Sequence, residues 1–122
     1  MKQEYVIRKE RGWAGHFVCS SECLFRRNTL LTYRNKRVVV STVGLLVRNN
    51  KIETVGSERY FETMAFYADK NDNRFFDADV SKTFNFKSKC AISEIDAEDK
   101  ANDMHEDVVT EIINKLLKSK IK

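Results

Sequence analysis

Residues 23–44, CLFRRNTLLTYRNKRVVVSTVG, decide how the rest of the chain is read. The first arm sets Thr29, Leu31 and Tyr33 against Leu30, Thr32 and Arg34, and the second runs Val38, Val39, Val40. β-Branched and aromatic residues on both sides of a short polar turn make a hairpin. Gly44 should end or bend the second arm, Leu45-Leu46-Val47 continues extended, and Asn49-Asn50-Lys51 reads as a turn. Ile52 to Val55 then answers Leu45 to Val47 and closes a meander.

Working outward, residues 3–9 alternate Tyr5 and Ile7 against Glu4, Val6 and Arg8, a first strand. Gly12 and Gly15 flank Trp13, the single tryptophan, and suggest a turn beside it. His16 to Ser20 reads as a second strand, with Phe17 and Cys19 on one face. Residues 57–68, SERYFETMAFYA, fit a helical face with Ser57 as N-cap, and equally an alternating strand. The aromatic content and the turn-rich DKNDN that follows favour the strand. Thr83 to Lys87 alternates again, continued by Cys90-Ala91-Ile92.

Residues 96–119 are a helix. Ala97, Ala101, Met104, Val108, Ile112 and Leu116 recur at helical spacing, with Asp96 or Ser93 as N-cap. Acidic residues Glu98, Asp99 and Asp103 come early and Lys115, Lys118 and Lys120 late, which suits the helix macrodipole. The expected architecture is therefore α+β: one domain over residues 1–122, an antiparallel-rich sheet of six to eight short strands in 1–92, and one long C-terminal amphipathic helix on one sheet face. The other face is then open, or covered by a second subunit.

A chain of 122 residues with 42% hydrophobic and 33% charged residues can bury one core and lies outside the disordered class. No apolar run is long enough to span a bilayer, and MKQEYVIRKERGW lacks the apolar core of a signal peptide, so a cytoplasmic protein is expected. In that compartment Cys19, Cys23 and Cys90 are read as thiols. The net charge of +4 hides an asymmetry: residues 1–60 carry twelve Lys/Arg against five Asp/Glu, whereas residues 61–122 carry ten against thirteen. Eight of the nine arginines lie in the first half. Arginine offers a planar fork that matches phosphate, so this half is the candidate anion site.

The residues expected to hold such a ligand are Arg26, Arg27, Asn28, Arg34 and Arg37, with Trp13, His16 and Tyr60 beside them. Arg34 and Arg37 should stand close across the hairpin turn. A zinc site from His16, Cys19 and Cys23 with His105 or Cys90 lacks the second short-spaced ligand pair that structural zinc prefers. Asp77 and Asp79 with Glu62 and His16 are what a divalent-metal phosphodiesterase or nuclease would use. Cys23 or Ser20 with His16 lacks a nucleophile elbow, and there is no glycine-rich phosphate loop. No cofactor or resident metal is expected.

The runs GWAGHFVCSSECLFRRNTLL, VVVSTVG, RYFETMAFYAD and FFDADVS resemble small proteins of tailed phages and prophages with no assigned activity. That resemblance implies a counter-defence factor, one that binds a host nuclease complex or sequesters a signalling nucleotide. The expectation is a non-enzymatic homo-oligomer capturing a phosphate-bearing ligand, a signalling nucleotide or nucleic acid, through its arginine-rich half. The alternatives are an inhibitor that occludes a host defence protein, and the metal phosphodiesterase.

Overall fold

The computed structural model describes residues 5–11, 16, 20–56, 58–68, 78–83 and 91–118. In chain order it contains β1 (Ile7–Glu10), a 3-10 turn (Ser20–Glu22), β2 (Cys23–Tyr33), β3 (Lys36–Arg48), β4 (Lys51–Glu53), β5 (Phe61–Ala68), β6 (Ala78–Thr83), β7 (Ala91–Ile92) and α1 (Glu98–Lys118). These form one antiparallel sheet in the order β1-β2-β3-β5-β6, with β4 paired to β3 and β7 to β5, and a single C-terminal helix. The α+β class is thus as expected.

The hairpin is the centre of the sheet. β2 and β3 pair from Cys23↔Leu46 to Tyr33↔Lys36, and Arg34 takes the left-handed backbone of the two-residue turn at φ 56°. Within the ambiguous stretch, residues 61–68 are strand: β5 pairs with β3 from Val38↔Tyr67 to Gly44↔Phe61. Gly44 does not end β3, which runs on through Leu45 at a left-handed φ of 56°, and the position suits glycine because a Cβ there would collide with the Phe61 ring and stand 2.7 Å from the Tyr60 carbonyl. Asn49 and Asn50, at φ 51° and 59°, make the expected turn into β4.

Several expectations need correction. His16 sits in a bend and Ser20 opens a 3-10 turn, so neither belongs to a strand; residues 17–19 lie outside the described residues, as does Trp13. Of the strand expected over residues 83–87, Thr83 belongs to β6, and residues 84–87 lie outside the described residues. Ala91-Ile92 forms β7, which pairs with Glu62 and Phe61 of β5, the strand that β6 also pairs with.

Successive side chains of a strand point to opposite faces, and both faces of the central strands are buried. On one, Leu31, Tyr33, Val38, Val40 and Ala65 pack against Val108, Val109, Ile112 and Leu116 of α1. Towards the start of α1, Phe25, Leu45 and Phe61 pack against Ala97, Ala101 and Met104. Thus α1 runs from the far end of the hairpin to its turn. The opposite face is not open: Leu30, Val39, Ser41, Val43 and Phe66 are buried within the single chain, and Arg11 and His16 bond to it. No helix among the described residues is long and apolar enough to cross a membrane.

Candidate functional site

Between the two apolar clusters under α1 lies a polar band. His105 of the helix is fully buried, yet both of its ring nitrogens are satisfied: Nε2 is 2.7 Å from Thr29 Oγ1 and Nδ1 is 2.6 Å from Thr42 Oγ1. The proton positions follow from the ends of the chain of bonds. Thr29 donates its single hydroxyl proton to Glu10 Oε2 at 2.7 Å, since a carboxylate only accepts. It must then accept from Nε2–H, which leaves Nδ1 to accept from Thr42, and Thr42 to accept from Thr63 at 2.6 Å. The band therefore holds one neutral tautomer. Burial pushes the His105 pKa down to about 4, and the nearby Arg27 charge adds to it.

At the edge of this band the arginines are occupied. Arg27 bonds Glu10 Oε1 through Nε (2.9 Å) and Nη2 (2.6 Å), and reaches Glu106 at 2.8 Å. Arg8 makes a paired contact to Glu106 and also approaches Glu10. The hydrogen bond from Arg8 chiefly holds the Glu106 carboxyl at about 2. Burial acts against the Glu10 charge, but the Thr29 hydroxyl and Arg27 outweigh it, and its pKa lies below the ordinary value.

The opposite face carries the second histidine. His16 Nδ1 lies 3.0 Å from Ser41 Oγ, which also accepts from the His16 backbone N–H at 3.2 Å, and Nε2 lies 2.8 Å from Glu62 Oε1. Serine, histidine and carboxylate in series resemble a nucleophilic triad. Two facts deny that chemistry: Ser41 is fully buried in mid-strand, and the His16 side chain is only 4% exposed, packed on the Phe66 ring. The bond from His16 lowers the Glu62 pKa, and Arg59 Nε forms an ion pair 2.6 Å from the other carboxylate oxygen. Beside them, Asn28 is buried with its Oδ1 accepting two bonds from Arg11, at 2.9 and 2.7 Å.

The expected ligand residues are therefore dispersed. Arg27 faces α1, whereas Arg26, Asn28 and His16 belong to the other face. Arg26 pairs with Val43 and Arg37 with Thr32, six ladder positions apart. At roughly 3.3 Å per residue that is about 20 Å, too far to share one phosphate. Tyr60 packs against the Phe25–Phe61 cluster. His16 and His105 cannot share a metal ion, because the sheet separates them. Cys23 is buried with Val43, Leu46 and Val55. Among the described residues no group of three or more His, Cys, Asp or Glu side chains could hold a metal. Asp77 lies outside those residues.

What the structure does gather is a basic pole. Arg34, Lys36 and Arg37 lie at the hairpin turn, and the last turn of α1, with Lys115 and Lys118, ends at the same edge because Ile112 and Leu116 pack with Tyr33 and Val38. Arg34 stacks 5.0 Å from the centre of the Tyr33 ring, and Lys36 sits 5.9 Å over Tyr67, itself 36% exposed. The lysines and Tyr67 were not foreseen as site residues. Helix direction relative to the hairpin is what brings them in, and no local motif encodes it. No protein-family model, curated protein or solved structure matches the chain; the assignments to a phage family, to counter-defence, to nucleotide binding and to a homo-oligomer find no support in any of them and are withdrawn.

Proposed function

We propose that this protein is a non-enzymatic binding module that takes the phosphate backbone of a nucleic acid on its basic pole. The observation that carries this reading is that the hairpin cations Arg34, Lys36 and Arg37 and the helix-end lysines Lys115 and Lys118 lie at one edge of the fold, with Lys36 over the part-exposed ring of Tyr67. Cations that neutralise phosphates release condensed counterions, and an aromatic face can stack a base without reading sequence. Of the residues expected from sequence, Arg34 and Arg37 are retained. Arg27, Asn28 and His16 are excluded, being bonded inside the fold. A non-enzymatic role is favoured because both histidines are buried with both ring nitrogens engaged.

The test is fluorescence anisotropy of labelled single-stranded and duplex oligonucleotides across a salt series. Wild-type protein should bind with an affinity that falls steeply with salt. Arg34→Glu combined with Lys36→Glu should weaken binding at least about tenfold and flatten the salt slope by roughly 0.7 to 0.9 for each phosphate no longer neutralised. Equal binding by this variant, or no binding even at low salt, would overturn the proposal.

A further inference from the structure

The opposite pole has the reverse character. Here the starts of β2 and α1, the short β4 and the loop before the helix enclose a groove of about 490 Å³. Three large apolar side chains from three segments line it while remaining open to solvent: Leu24 at 67%, Ile52 at 41% and Ile95 at 39% exposure. Exposed singly, such residues are ordinary; brought together on one concavity, they form a surface that gains by being covered. Asp96, Glu98 and Asp99 also line the groove. Among the described residues Lys100 is the one lining cation, and Glu94 holds it at 2.7 and 2.8 Å.

We infer that this groove is a docking site for a basic amphipathic helix of a partner protein. Apolar anchors spaced three or four residues apart would enter between Leu24, Ile52 and Ile95, and flanking lysines or arginines would meet Asp96, Glu98 and Asp99. The charge complementarity selects the occupant: an acidic helix would bring like charges together, and nucleic acid would be repelled. This site is independent of the basic pole, which lies at the other end of α1.

The probe is a synthetic helix with leucines on one face and lysines on the other, compared with a leucine–glutamate helix of the same pattern. The leucine–lysine helix should bind and the leucine–glutamate helix should not. Leu24→Ser with Ile95→Ser should raise the Kd for the first at least about tenfold. Because both side chains are exposed, the circular dichroism spectrum, melting temperature and oligonucleotide affinity of the variant should stay at wild-type values. Glu98→Lys with Asp99→Lys should weaken the same peptide and flatten its salt dependence. Binding of both helices alike, of neither, or of the leucine–lysine helix equally to wild type and the serine variant would overturn the inference.

Discussion

The two faces of the sheet each use one of the chain's two histidines, and they use them differently. Ser41 and Thr42 are neighbours on β3, so they point to opposite faces, and each meets an Nδ1: Ser41 that of His16, Thr42 that of His105. Beyond the ring, His16 Nε2 reaches Glu62 directly, whereas His105 Nε2 reaches Glu10 only through the Thr29 hydroxyl. The helix-side band is fully buried and spans three strands. It sets the register of α1, because sliding the helix would leave both buried ring nitrogens of His105 without partners and take one bond each from Thr29 and Thr42. The His16 contact fastens a loop position onto an already paired sheet. One histidine specifies packing and the other ties a single loop position to the sheet.

Mutation should separate these roles. His105→Ala removes a fully buried ring and takes the acceptor from the Thr42 hydroxyl proton and the donor from Thr29 Oγ1, so urea unfolding should show a loss of about 3–5 kcal/mol. Acid gives the next largest effect. The folded pKa of His105, about 4, lies below its unfolded value, so the unfolded chain takes up its proton first. Stability present above about pH 6.5 therefore declines as pH falls towards 4, by about 3 kcal/mol at most. Below that, Glu106, lowered to about 2, loses its contribution in turn as it is protonated. Unfolding measured across pH should lose the first decline in His105→Gln and keep it in His16→Gln.

His16→Ala should cost less, about 1–2 kcal/mol, and should raise amide exchange on β3 and β5 near Ser41 and Glu62 before it affects α1. If it costs as much as His105→Ala, the contrast between the faces fails. The smallest effect is expected from Arg8→Ala, since Arg8 and Glu106 are both more than a third exposed: under about 1 kcal/mol by denaturation, and less at high salt.

Much of the fold was legible because it rests on local periodicity. The hairpin followed from alternation about a polar turn, the strand at 61–68 from aromatic and β-branched crowding, and the helix from its apolar recurrence and end charges. The site was less legible. An arginine count measures charge but not what meets it, and Glu10 and Glu106 come from distant positions to occupy Arg8 and Arg27. Likewise Thr29, Thr42 and Thr63 look like ordinary strand residues until one helical histidine aligns them.

By itself the sequence determined the central hairpin, the strand at 61–68 and the apolar face of the C-terminal helix, because each shows in neighbours within a few residues. Only the tertiary structure decided which arginines are occupied, which side of the sheet each histidine serves, and that Lys115 and Lys118 join the hairpin cations at one pole. Those outcomes depend on the direction in which α1 crosses the sheet, set by packing between residues some eighty positions apart.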